Sequence, residues 1–494
     1  MSTKQNMGAY QRYYHPWQYR LRRLLNWLPM GLAYASLYFG RYNLTVAKSA
    51  LGDEVMNKAE FGWIFAVGAW VYGLSFLVNG PLTDKIGGRK AMLFGVFGAL
   101  LMNVAMGLVL YANAVWHFSF PVLESFLILY ALNMYFQSFG AVAIVTVKAP
   151  WFHVRERGVF STIFGIIISL GIYFAFDWGY AVVQATRSEP VAELGFVAAA
   201  FRSIFGLGRT GMNENWWLFF TPAWMLGIFW VMMFLWLRDL PSQAGFLDFN
   251  TGEGRLSESG ERESVKKVFS KIISHPVLMV VCLVEFCSGI LRNGIMQWYP
   301  IMAKEIGFYK TFFITRNWGL MLLICGVAGS FLTGWVSDRF FQSRRAPIAG
   351  ILYGVMFFGV GVMVFALGGN LWIFGIMSLL VSMSVIGVHG IFSGTATADF
   401  AGTKNTGAAV GIVDGMVYLG TGLQSVMISY LVPTGDIAKD PSSWNLWPLF
   451  LVPFTLIGLF LTKQIWNALP GSLPQQLFFK FRLKLFGTKL PTIN

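Results

Sequence analysis

Long apolar runs, most near 20 residues, alternate along this chain with short polar or basic breaks. A bilayer core takes about 20 residues of α-helix to cross, at about 1.5 Å per residue. The runs therefore predict twelve spans, at about 25–50, 60–83, 91–113, 121–148, 158–185, 215–237, 275–303, 316–338, 346–367, 371–397, 407–432 and 445–466. A transmembrane barrel would instead alternate in segments of about 10 residues. The fold class is an all-α membrane protein.

Between the spans, the breaks order the chain. Residues 1–24 form a polar, basic N-terminal segment with Arg12, Arg20, Arg22 and Arg23, and 25–237 hold six spans. A mixed-charge loop, 238–274, leads to six more over 275–466, and a basic tail, 467–494, follows. Lys85, Arg89 and Lys90, then Arg155 and Arg157, then Arg339, Arg344 and Arg345 all fall in loops of one side. The positive-inside rule puts those loops and both termini in the cytoplasm. Within 186–214, the mostly apolar stretch 194–207 predicts a short interfacial helix.

An internal repeat relates the two sets of six. Gly80-Pro81-Leu82-Thr83-Asp84-Lys85 recurs as Gly334-Trp335-Val336-Ser337-Asp338-Arg339, and Arg41 and Arg292 fall close to the same frame. A parallel repeat of this kind implies two pseudo-symmetric six-helix bundles related by an axis along the membrane normal.

Composition sharpens this picture. The chain has 494 residues, of which 56% are hydrophobic and only 12% charged, against about 25% charged in a soluble domain. A formal net charge of +14 would suit nucleic acid, but the basic residues follow the loops of one side, so no nucleic-acid partner is expected. Cys282, Cys287 and Cys325 lie in apolar runs without metal-ligand spacing, and the five histidines form no H-E-x-x-H pattern. With no Walker A loop and no nucleophile–base arrangement, neither a catalytic residue nor a cofactor or metal is expected.

The candidate chemistry is in the spans. Arg41 and Arg292 each sit well inside an apolar run. An arginine near the bilayer centre costs about 2.5–3.5 kcal/mol on the most lenient scale. Its charge is permanent and calls for an anion or a wet cavity, so the pair predicts one anionic site shared between the halves. Tyr38, Tyr42 and Asn43 flank Arg41, and Asn133 and Gln137 share a face of the fourth span; these groups suit hydrogen bonding to a polar ligand or between helices. Glu285, seven residues before Arg292, suits a counter-ion or proton carrier. Asp414 suits the same roles or a ligand hydroxyl, and His389 a ligand or proton contact.

Gly80-x-x-x-Asp84-Lys85-x-Gly87-Gly88-Arg89-Lys90 resembles the loop motif of the major facilitator superfamily, with Asp338 and Arg339 in its second-half copy. The expected physics is close helix approach at Gly80 and an acidic–basic latch at a cytoplasmic gate. Arg41 together with Leu291-Arg292-Asn293-Gly294-Ile295-x-x-Trp298-x-Pro300 resembles the organophosphate:inorganic phosphate antiporter family. Trp151-Phe152-x-x-x-Glu156-Arg157-Gly158 and Leu237-Arg238-Asp239-x-Pro241 are similar to its connections after the fourth and sixth spans. Thr395-Ala396-Thr397-Ala398-Asp399 with Val413-Asp414-Gly415 is similar to its animal sugar-phosphate exchangers. The resemblance implies exchange of a phosphorylated organic anion for inorganic phosphate by alternating access. It also implies Arg41 and Arg292 as the phosphate clamp; the loop charges point to the cytoplasmic (inner) membrane, and a monomer is expected. Two departures stand out: Phe76 and Ile167 occupy positions where members of that family carry a lysine and a histidine. The alternatives are a proton-coupled symporter of a non-phosphorylated anion, motivated by Glu285, Asp414 and His389, and a transporter-like sensor of phosphate esters.

Overall fold

A computed structural model describes residues 16–153, 157–187, 194–248, 269–270, 274–309, 311–341, 344–396 and 406–468. Residues 1–15, most of the 238–274 loop, Glu156, 397–399 and the basic tail beyond 468 lie outside the described residues. The described residues contain helices and no strand. Eleven helical segments have the length and composition to cross a membrane. The first helix, Trp17–Leu51, packs among them and completes the twelve. Spans 2, 3 and 4 are Lys58–Ile86, Gly88–Val115 and Val122–Trp151. Span 5 is Arg157–Tyr173, a π-turn Phe174–Trp178 and Gly179–Ala185, and span 6 is Trp217–Trp236. Span 7 is Pro276–Met296 followed by Trp298–Ile306. Spans 8 and 9 are Trp318–Phe340 and Arg345–Ala366, and span 10 is Leu371–His389 with a π-turn Gly390–Ala396. Spans 11 and 12 are Thr406–Leu431 and Leu446–Gln464. The short helix expected in 194–207 is Phe196–Phe205.

Span 1 begins at Trp17, earlier than the break near residue 24 predicts. The basic stretch does not lie apart; it continues the helix and packs. Tyr19 is buried and donates to the Trp151 carbonyl at 3.1 Å, and Arg22 Nη2 donates to the Trp236 carbonyl at 2.5 Å. Span 2 opens on a capping box: the Asn57 side chain accepts from Glu60 N at 2.9 Å, and the Glu60 carboxylate accepts from Asn57 N at 2.8 Å.

Span 7 shows how a break is tolerated in a membrane. Pro300 has no N–H, so the carbonyl four residues earlier, at Met296, loses its helical donor. Trp318 of span 8 supplies one instead, Nε1 to the Met296 oxygen at 3.0 Å, while Trp447 Nε1 donates to the Gly294 carbonyl at 2.7 Å. Backbone groups freed in a bilayer must find such partners.

Spans 1–6 pack with one another, as do spans 7–12, and the halves meet where span 2 runs along span 11 and span 5 along span 8. Small residues set the closest approaches. A Cβ on Gly73 of span 2 would come within 2.9 Å of the Gly415 carbonyl of span 11. Within the second half, a Cβ on Gly289 would overlap the Val417 carbonyl outright, and one on Gly420 the Phe286 carbonyl. Gly80 does not fit the close-approach rationale drawn from its motif: a Cβ there meets nothing within 4 Å. The crowded glycines of the motif are Gly88, against Val147 and Ala143, and Gly87, whose φ of +91° also favours glycine.

Gly289→Ala should therefore destabilise by about 1–3 kcal/mol through overpacking, read as a lower Tm of the detergent-purified protein. Gly80→Ala should leave the Tm unchanged.

Candidate functional site

Span 1 is clamped around Arg41 before the guanidinium makes any contact. Tyr130 Oη donates to the Arg41 carbonyl at 3.0 Å, and Asn133 Nδ2 to the Gly40 carbonyl at 2.9 Å. Asn43 Nδ2 donates to Asn103 Oδ1 and to the Leu218 carbonyl, both at 3.1 Å. These bonds tie span 1 to spans 3, 4 and 6, so the side chain projects from a rigid stem. The guanidinium is fully buried. Its Nε donates to Gln137 Oε1 at 3.1 Å and its Nη1 to Tyr418 Oη of span 11 at 2.5 Å. It lies over the rings of Tyr72 at 4.4 Å and Tyr38 at 4.6 Å. The ring faces supply negative potential to a cation without supplying a charge. Among the described residues, Nη2 has no hydrogen-bond partner.

Arg292 comes from the other half. Span 7 is held by Tyr353 Oη donating to the Val284 carbonyl at 2.7 Å and by Asn293 Nδ2 donating to Thr421 Oγ1 at 2.8 Å. Arg292 is 8% exposed and its Nε has no hydrogen-bond partner among the described residues. Tyr38, Tyr42 and Tyr418 lie within electrostatic reach of both guanidinium groups. Tyr42 Oη also meets Asn293 Oδ1 at 3.3 Å, joining the neighbours of the two arginines across the halves. Among the described residues, no carboxylate forms an ion pair with either arginine.

A polar cluster adjoins Arg292. Glu285 Oε2 pairs with His389 Nδ1 at 2.9 Å, joining spans 7 and 10. The two-turn offset from Arg292, about 10 Å of helix rise, leaves the histidine as its partner rather than the arginine. The π-turn after His389 carries Ser393, whose Oγ donates to Asp414 Oδ1 of span 11 at 2.5 Å.

Of the residues singled out in the sequence, Arg41, Tyr38, Tyr42, Gln137 and Arg292 converge, and Glu285, His389 and Asp414 gather beside Arg292. Asn43 and Asn133 are turned to the helix–helix contacts behind Arg41, with Asn133 Oδ1 also accepting from Gln137 Nε2 at 3.1 Å. Sequence reasoning missed Tyr72, Tyr418 and Ser393. Tyr418 was within reach, four residues after Asp414 and so on the same helical face. Phe76 packs across the halves, 3.6 Å from where a Cβ on Gly411 would stand.

The loop motifs form latches within each half, on the side where span 1 begins and span 12 ends. Asp239, after span 6, accepts from Arg89 N at 2.7 Å and thereby caps span 3, whose own N-cap, Gly87, has no side chain. Arg89 Nη2 donates to the Phe234 carbonyl at 2.9 Å. The Arg238 carbonyl accepts from Trp151 Nε1 and Asn26 Nδ2. In the second half Arg345 pairs with Asp338 at 2.8 Å. Asp84, Lys85 and Arg339 are exposed.

Bonds on the far side join the halves instead. Asp177, in the span 5 π-turn, accepts from Gly319 N at 2.8 Å and Leu320 N at 3.0 Å, capping span 8 in trans. Lys58 Nζ donates to the Pro433 carbonyl at 2.7 Å and lies 3.6 Å from Glu305. Trp63 Nε1 donates to Tyr430 Oη at 3.0 Å, and Phe61 packs edge-on against the buried Trp298.

Known proteins align with this architecture over most of its length. The Major Facilitator Superfamily profile matches residues 30–425. A glycerol-3-phosphate transporter of Bacillus subtilis is 24% identical, over 91% of this chain and 94% of its own. A probable hexose phosphate transport protein of Chlamydia trachomatis is 24% identical, over 92% and 93%. The membrane sensor protein UhpC of Salmonella typhimurium is 23% identical, over 88% and 92%. Among solved structures, a bacterial homolog of the human lysosomal transporter Spinster aligns with a TM-score of 0.68 at 13% identity, covering 92% of this chain and 98% of that one. That likeness bears on the fold alone.

The trans cap is testable by itself. Asp177→Ala removes two charge-assisted bonds, each contributing about 1.5–3 kcal/mol. Double electron–electron resonance between labels at Val55→Cys and Ile437→Cys, both on exposed far-side positions, should show a larger population of long distances in that variant.

Proposed function

The chain belongs to the major facilitator superfamily, and from that premise we propose that it is a secondary active transporter exchanging a phosphorylated organic anion for inorganic phosphate. One observation carries the reading. Two buried arginines, one from each half, each keep a nitrogen without a partner among the described residues and have no described carboxylate as counter-ion. Planar guanidinium forks match the oxygens of a phosphate group and bond them bidentately. The relatives named for glycerol-3-phosphate and hexose phosphate support the same ligand class.

The mechanism follows from charge. With the site empty, closing the halves around two guanidinium groups brings like charges together in a low dielectric. A bound phosphate bridges Arg41 and Arg292 and removes that cost. Each return then needs another anion, which makes transport an exchange driven by the opposing phosphate gradients. The far-side bonds between the halves break as the molecule rocks, while the latches within each half persist. The reading includes a cytoplasmic membrane with both termini inside, on the loop charges, and a monomer, since each chain holds both arginines.

Two rivals have specific observations behind them. The Glu285–His389 pair favours proton coupling, and the sensor named among the relatives favours binding without transport. Counterflow of labelled phosphate in proteoliposomes separates them. Uptake should require internal phosphate or a phosphate ester and be unaffected by an imposed pH gradient alone. Arg41→Lys and Arg292→Lys should each lower the rate by at least about 100-fold, the loss of one bidentate charge-assisted contact of about 3 kcal/mol. Uptake into empty vesicles at the full rate, or intact uptake in both variants, rules the exchange reading out.

A further inference from the structure

The arginines do not stand alone in the centre of the molecule. Asp414 and His389 are both partly exposed although they lie well inside spans 11 and 10, and His389 rests on the fully buried Glu285 of the central span 7. What they are exposed to is therefore the space between the helices. Asp414 and His389 are each within electrostatic reach of the other, of Glu285 and of Arg292.

The two acids have different partners. Glu285 Oε2 is taken by His389, while its Oε1 is buried and has no hydrogen-bond partner among the described residues. Asp414 has a neutral partner, the Ser393 hydroxyl, and no ion pair among the described residues. One turn earlier on span 11, at Gly411, the neighbour across the halves is the apolar Phe76 of span 2. An accessible carboxylate with no ion pair among the described residues, next to a buried acid with one oxygen left without a described partner, is costly in a low dielectric unless a positive group arrives.

A site for a plain phosphate dianion would gather cations only. This one sets a carboxylate with no ion pair among the described residues, and a second acid bonded to a histidine, in the same half as Arg292. We infer that the organic part of the ligand carries a protonated amine, held by Asp414 with Glu285 behind it, while the phosphate lies on Arg41 and Arg292. The ligand class is an aminated phosphate monoester, such as an amino-sugar phosphate. The inference rests on the proposed phosphate exchange and adds the nature of the other end of the ligand.

Matched esters test it. Glucosamine 6-phosphate and glucose 6-phosphate differ only in an amine for a hydroxyl, and each can be titrated against labelled-phosphate counterflow in proteoliposomes. In the wild-type protein the amine ester should compete at a concentration at least about tenfold lower, the scale of one charge-assisted contact. N-acetylglucosamine 6-phosphate, whose nitrogen is uncharged, should lose that advantage, and this comparison needs no variant. In Asp414→Asn the ratio between the first two esters should fall towards one, and in Asp414→Glu it should be retained. Equal competition by the two esters in the wild-type protein overturns the inference and leaves phosphate exchange standing. So does a preference shared by the N-acetyl ester or unchanged in Asp414→Asn. If unlabelled phosphate itself fails to compete, the exchange reading falls, and this inference with it.

Discussion

A guanidinium cannot give up its charge, and that constraint organises the molecule around residues 41 and 292. Arg41 is handled with neutral groups only: an amide oxygen, a phenol and the faces of two tyrosine rings. These soften burial without cancelling the charge. A carboxylate in the same place would close an ion pair and compete with any incoming anion. The groups that hold its backbone are correspondingly numerous. Tyr130, Asn103, Asn133 and the Leu218 carbonyl fix the helix that carries Arg41, so the side chain is positioned by bonds that leave its own donors available.

The same constraint explains how bonding differs between the two sides of the molecule. A site between two bodies works by alternating access only if each body holds its shape while the contacts between them change. On the side of the chain ends, the described latches close within a half: Asp239 on span 3, Asn26 and Trp151 on Arg238, Arg345 on Asp338. On the far side, Asp177, Lys58 and Trp63 reach across. These far-side bonds are part-buried or exposed, and the groups they release can be solvated when they part. The bonds within span 7 are of another kind. Trp318 and Trp447 answer carbonyls that lipid cannot solvate, so the break at Gln297 is a fixed shape and not a point of give.

Much of this was legible in the sequence because it is enforced by costs the sequence displays. Twenty apolar residues in a row admit few structures in a membrane, and an arginine among them demands an explanation, so the spans and the two arginines were plain. Direction around a helix was not. Asn43 is adjacent to Tyr42, and the sequence leaves both open to a ligand or to a helix–helix bond, but successive helical residues point about 100° apart, and Asn43 faces spans 3 and 6 while Tyr42 faces Asn293. Partners from other spans were equally hidden: nothing local to Glu285 indicates His389, and nothing local to Arg89 indicates Asp239. The π-turns that present Asp177 and Ser393 left no pattern in composition. Gly80 was misjudged for a related reason, since a glycine in a motif says that a Cβ is unwanted without saying what it would meet.

The placement of the acids carries the argument one step further. Arg41 belongs to the first half, whereas Arg292, Glu285, His389 and Asp414 all belong to the second. On the proposed reading, the phosphate needs both halves, but the rest of the ligand is held by the second half alone. When the halves part, the ligand therefore loses Arg41 and the span 1 tyrosines first and stays for a time on spans 7, 10 and 11. Inorganic phosphate has no such second attachment. The two exchange partners thus share the clamp that permits closure and differ in the contacts that delay release, an asymmetry that follows from which helices carry the acids and not from the clamp itself.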